Sequence, residues 1–212
     1  MRVVRIAGLT ATPSTQKGPG DEIIRGEIWI ADLTTNRRSR LTNDDVYRSP
    51  IFLAGDQIIL ALREDEIVQI PVAGGQARKL FNIRSITKLV GATLDDSETV
   101  LVLTQNTDQR PSVGLISLKS GQLSPIPFDE SSREDRRILV HLQGWERVYG
   151  DTKLYLKSET KGGLAGSTEW IDVYLKRDHI EPINISNCEG RKCGQPSLSQ
   201  GKKLVVYIKA TE

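Results

Sequence analysis

Short apolar runs recur along the chain, and most are entered through a polar turn. RVVRIA from Arg2, QIILAL from Gln57, TVLVLT from Thr99, KLYLKS from Lys153 and KLVVYI from Lys203 are rich in Val, Ile, Leu and Tyr. Runs of this length and side-chain type predict strands, because β-branched and aromatic groups pack well on a pleated surface and lose rotamer freedom in a helix. The turns before the last four runs are AGDQ (54–57), LDDSE (94–98), YGDT (149–152) and SQGKK (199–203). They have the chemistry of tight reversals, since Gly supplies positive φ while Asp and Ser bond their own backbone. A second set of runs follows, GEIWIADL from Gly26, EIVQIPV from Glu66, SVGLISL from Ser112 and EWIDVYL from Glu169. After a further turn come the short segments RRSRLT, ARKLF, LSPIPF and EPINIS. The predicted unit is strand, tight turn, strand, loop, strand, turn, strand. No segment of ten or more residues keeps a helical period, so the prediction is all-β.

The repeat decides between architectures. Val3, Ile58, Val100, Leu154 and Leu204 are matched positions, spaced by 55, 42, 54 and 50 residues. Four short strands with their turns need about 40 to 45 residues in a propeller blade, so the excess measures loop length. A β-sandwich also offers many hairpins, but it does not require the same strands and turns in the same order, whereas radial repetition does. The expected fold is a β-propeller of four-stranded antiparallel blades, forming one domain or part of one. The units are 1–42 (partial), 43–81, 82–128, 129–187 and 188–212 (partial). About five blades are visible, with seventeen strands against the twenty of a closed five-bladed ring. The ring is therefore expected to be incomplete or to be completed by further domains or chains.

The segment IWIADLTTNRRSRLTNDDVYRSPIFLAGDQIILAL resembles the TolB-like, or WD40-like PD40, repeat. In that pattern a strand ends in Asp and is followed by a Leu-Thr pair, a Pro, a Ser-Pro-Asp-Gly turn and an apolar strand. Asp32, Leu41, Thr42, Pro50, Gly55 and Asp56 occupy those places. GQPSLSQGKKLVVYI is similar to the second half of the repeat through Pro196, Ser199 and Gly201. The third and fourth units are degenerate. The resemblance implies either a protein-interaction platform or the accessory, gating propeller of a larger enzyme such as an oligopeptidase. A repeat of this kind specifies fold and leaves activity open.

Composition narrows the partners. Twenty-nine Lys and Arg against twenty-seven Asp and Glu give a net charge of +2, which argues against a polyanion-binding surface, so no nucleic acid is expected. No stretch approaches the ~20 apolar residues of a membrane span, and the first residues carry no signal-like apolar run. Cys188 and Cys193, separated by four residues in NCEGRKCG, can close a disulfide loop or remain free thiols according to compartment. A metal site would need further soft ligands, and none is expected.

Catalytic patterns are sparse. There is no GxSxG elbow and no Walker loop, and GGLAG at 162–166 lacks the residues phosphate chemistry would add. His141, within ILVHLQ, alternates with apolar neighbours and is expected to be a packed or channel-lining residue of an innermost strand. His179 is expected in a surface turn. The carboxylate pairs Asp44 and Asp45, Asp95 and Asp96, and Glu134 and Asp135 sit outside any DxDxDG loop and are expected to be solvated. Trp29 and Trp170, on equivalent third strands, are expected to pack between blades. The function expected is a non-catalytic scaffold without cofactor. It would bind a partner protein through the face that collects the between-blade connections and the loops between second and third strands, including the longest insertions at 11–25, 106–112 and 158–168. The candidate contacts are Asp44, Asp45, Tyr47, Arg48, Arg84, Arg133, Arg136 and Trp145, the last with core packing as its alternative. An accessory propeller of a peptidase is the alternative, and a stand-alone propeller enzyme would need clustered acids that the sequence does not place together.

Overall fold

The computed structural model describes residues 24–211 except 54, 93–97, 106, 107, 109, 130, 164 and 165. The expected strand at Arg2, most of the insertion at 11–25, and most of the LDDSE turn lie outside the described residues.

Among the described residues sixteen strands form four antiparallel sheets of four, the blades of a β-propeller. The first blade has the spatial order β15 (Cys193–Leu198), β16 (Leu204–Lys209), β1 (Glu27–Asp32), β2 (Arg37–Arg40). The second runs β3 (Tyr47–Phe52), β4 (Ile58–Arg63), β5 (Glu66–Pro71), β6 (Arg78–Asn82), and the third β7 (Ile86–Ala92), β8 (Thr99–Gln105), β9 (Pro111–Ser117), β10 (Leu123–Pro125). The fourth is preceded by a helix, α1 (Arg133–Gln143), and contains β11 (Arg147–Tyr149), β12 (Thr152–Gly163), β13 (Gly166–Arg177) and β14 (Ile183–Asn184).

The number of blades corrects the sequence expectation. The described strands of the two partial units at the ends are halves of one blade, with β1 pairing β16 from Glu27 opposite Lys209 to Asp32 opposite Leu204. Among the described residues four blades therefore stand where about five were expected, because β1 and β2 share a sheet with β15 and β16. Their junction is tight. A Cβ at Gly26 would run into the Lys209 carbonyl oxygen, so only glycine fits there.

The core explains why the second and third strands read as nearly continuous apolar runs. Successive side chains face opposite sides of a sheet, and most of these sheets are covered on both. In β4, Ile59 and Ala61 join β16 residues Val206 and Ile208 between the first and second blades. Leu60 and Leu62 instead join Val100 and Val102 of β8 between the second and third. In β16, Val205 and Tyr207 face Leu154, Val173 and Leu175 of the fourth blade, with Trp29 and Trp170 packed against the same cluster. The two tryptophans thus line one inter-blade seam, as their equivalent positions suggested. The other face of the third blade, Val90, Leu101, Leu103 and Val113, is covered by Leu142 and Leu139 of α1 with Ile126 and Phe128.

The helix is the main departure from the expected all-β chain. Eleven residues, about three turns at ~3.6 residues per turn, follow an N-cap at Ser132, whose hydroxyl accepts the Asp135 N–H. His141 consequently lies on this helix and not on an innermost strand. The run Ile138 to Val140 had read as strand, yet Ser132 followed three residues later by Asp135 is a helix-start signal that the apolar run masked.

Candidate interaction surface

Alternating strand directions give the propeller two different faces. The lower face collects the turns between first and second and between third and fourth strands. The upper face collects the turns between second and third strands and the connections between blades.

On the lower face, turns of neighbouring blades grip each other. Asp56, in the left-handed region at φ 56°, accepts from the Gln200 and Gly201 N–H groups, both at 2.7 Å, which joins the second blade to the first. Lys202 donates to Asp151 at 2.7 Å, joining the first blade to the fourth, and the Lys202 contact holds the Asp151 carboxyl below its ordinary value. These groups are the Gly, Asp and Lys positions of the tight turns in the sequence. Their polar capacity serves the frame.

A second set of clamps runs through the innermost strands. The Ser49 N–H donates to the Gln195 side-chain oxygen of β15. Arg48 on β3 donates to the Thr87 carbonyl at 2.7 Å and the Glu64 carbonyl at 2.9 Å. Lys88 on β7 donates to the carbonyls of Gln143 and Gly144 at the end of α1, and its ammonium lies 3.5 Å from the Trp145 ring centroid. Arg147 on β11 adds a bond to Gly144 O at 2.7 Å. Helix C-termini present unsatisfied carbonyls and partial negative charge, so two buried cations here complete α1 while tying it to the third and fourth blades. Burial lowers the affinity of the Arg147 guanidinium for its proton, and likewise that of Arg48. Burial, with Arg147 next, also lowers the pKa of the half-buried His141, so this imidazole faces cations.

The structure divides the candidate contacts into two groups. Asp44, Asp45, Arg84, Arg133 and Arg136 are exposed on upper-face connections. Arg84 is 88% exposed, with a long 3.5 Å contact to Asp65. Asp45 accepts from Thr211 at 3.0 Å. Tyr47, by contrast, is a core residue at 2% exposure, and Trp145 is buried beneath Lys88. Arg48 is occupied by its two carbonyls. Tyr47, Arg48 and Trp145 hold the upper-face connections from within and present little surface.

Three features enlarge the upper face. The β12–β13 hairpin has strands of 12 residues, against six or seven for second and third strands elsewhere. It therefore projects by roughly 15–20 Å at ~3.4 Å per residue, with Lys157, Ser158, Thr160, Lys161, Ser167, Thr168 and Glu169 exposed. The second is α1. The third is the connection from β14 to β15, closed by a disulfide between Cys188 and Cys193 with their Cα atoms 6.2 Å apart. Its anchor is the buried Asp172, which accepts from Cys188 N–H at 2.6 Å, Ser186 Oγ at 2.7 Å, and Asn184 Nδ2 and Trp170 Nε1 at 2.9 Å. Burial alone would raise the Asp172 carboxyl, but these four donors outweigh it and hold its pKa below the ordinary value. Sequence reasoning missed Asp172, whose only signal was an acidic residue inside an otherwise apolar strand.

Among the described residues, no three His, Cys, Asp or Glu side chains come together as a metal site, and no helix is long and apolar enough to cross a membrane.

No protein-family model and no curated protein matches the chain. Among solved structures it is similar to a putative TolB from Agrobacterium tumefaciens, at 12% identity and a TM-score of 0.43 over 84% of this chain and 60% of that one. It is also similar to TolB from Acinetobacter baumannii, at 12% identity and a TM-score of 0.42 over 89% of this chain and 49% of that one. The chain thus spans between half and three-fifths of the length of these TolB chains. Identity this low bears on fold alone, and the propeller rests on its own sheet topology.

Proposed function

We propose that this chain is a non-catalytic interaction module whose propeller frame presents its upper face to a partner protein. The observation that carries the reading is the asymmetry between faces. Lower-face polar groups such as Asp56, Asp151 and Lys202 are committed to neighbouring blades. The long hairpin, the inserted helix and the disulfide loop all belong to the upper face, beside the exposed Asp44, Asp45, Arg84, Arg133 and Arg136. Variable connections on a rigid frame suit recognition, and mixed charge suits a specific protein contact sensitive to salt. The role agrees with what the TolB-like repeat pattern implies. Among the described residues the buried Nε2 of His141 has no hydrogen-bond partner, so no nucleophile or orienting acid is bonded to it as hydrolysis would require.

Site-specific photo-crosslinking tests the proposal. A photoreactive amino acid at position 45 or 84 should capture a partner in cells, and one at position 35 or 119 on the lower face should not. Equal capture from both faces, or capture from the lower face alone, would overturn the assignment.

A further inference from the structure

We propose that the outward face of α1 docks an acidic segment of a partner protein that also carries an apolar anchor. The inference rests on the upper face being the interaction surface, and it names the chemistry that surface would take.

Helical geometry separates the two sides of α1. Leu139 and Leu142 turn toward the third blade. Arg133, Arg136, Arg137 and Val140 fall on the opposite side at ~100° per residue, and all four are exposed. Val140 is 57% exposed.

Nothing in the fold accounts for this composition. No side-chain hydrogen bond or ion pair engages Arg133, Arg136 or Arg137 among the described residues. The arginines also work against their own helix. Arg133 occupies the first turn, where the dipole favours anions, and like charges at i,i+3 and i,i+4 repel. Asp135 does not relieve them, since it accepts the Asp129 N–H. A cationic, partly apolar face that opposes local stability fits a ligand supplying carboxylates to the guanidinium forks and a side chain to cover Val140. A nucleic acid would leave Val140 uncovered and would meet Glu134 on the same helix.

The test is selection of a random peptide display library on the intact chain, followed by fluorescence polarisation with the enriched peptides. Enriched sequences should combine Asp or Glu with Leu, Ile or Phe. Their affinity should fall about tenfold or more in the R133E/R136E/R137E variant, and also with rising salt. Acidic residues favour a helix N-terminus, so this variant should retain α1, which circular dichroism checks; V140D provides a second, single-site variant. Enrichment without acidic bias, full binding to both variants, or displacement of the peptides by a dT20 oligonucleotide would each overturn the inference. Should acidic peptides ignore the α1 variants but be lost in D44A/D45A/R84A, α1 docking fails while the upper-face reading stands. Should they respond only to substitutions in lower-face turns, both fail.

Discussion

Replacing Asp172 by Asn changes one atom's chemistry at the most heavily hydrogen-bonded carboxylate described in the fold. One oxygen accepts from the Cys188 N–H and Ser186, the other from Asn184 and Trp170. An amide fits the same volume, but its NH2 group must face two of those donors. Two hydrogen bonds to a charged acceptor are lost, at about 1.5–3 kcal/mol each, partly offset because a neutral amide costs less to bury. A net destabilisation of about 3 kcal/mol follows. For a chain of this size each kcal/mol shifts Tm by roughly 2–4 °C, so D172N should melt about 6–12 °C below the unaltered protein at neutral pH. The pH dependence carries its own sign. A carboxyl depressed in the folded state contributes stability that is complete above its unfolded value near ~3.9 and is lost as pH falls through the lower folded value. The gap between the two melting curves should therefore close as the solution is acidified below that range. Circular dichroism melts across a pH series measure both effects. Melting within about 2 °C of the unaltered protein at neutral pH, or a gap that widens in acid, would refute the account of Asp172.

The remaining predictions concern the clamps and the disulfide. D56A, which removes an acceptor for two backbone N–H groups, should lower stability by about 1–2 kcal/mol in urea unfolding, and an unchanged midpoint would remove the lower-face clamp from the account. K88M keeps most of the side-chain volume but frees the Gln143 carbonyl and leaves Gly144 O to Arg147 alone, so hydrogen exchange should accelerate in α1 ahead of the blades; uniform exchange would count against the clamp. Reducing Cys188–Cys193, which closes a short loop, should cost about 2 kcal/mol on the chain-entropy estimate. Thiol titration of unfolded protein from an oxidising compartment should find no free thiol before reductant, and prompt labelling of both cysteines would contradict the bond.

The strand order was legible because most blades are buried on two faces, which leaves runs such as Ile58–Arg63 and Thr99–Gln105 with little polar interruption. The third-strand positions of Trp29 and Trp170 could likewise be read from their place in the repeat. The blade number could not, because residues 27–40 and 193–209 read as separate partial units and their pairing is a contact between distant ends. The helix escaped for a different reason. Its buried stripe is narrow, Leu139 and Leu142, while Ile138 and Val140 are exposed, so periodicity was replaced by a run resembling a strand. Tyr47 and Trp145 show the limit of reading contacts from residue type. An aromatic beside charges suits either a hot spot or a core anchor, and only burial separates the two.

The central claim, that the upper face meets a partner, is tested most directly by hydrogen exchange on the chain alone and bound to the partner captured by crosslinking. The account predicts slowed exchange in the connections 41–46, 83–85, 133–143 and 185–192. Slowed exchange confined to the lower-face turns 33–36, 72–77 and 118–122 would contradict it.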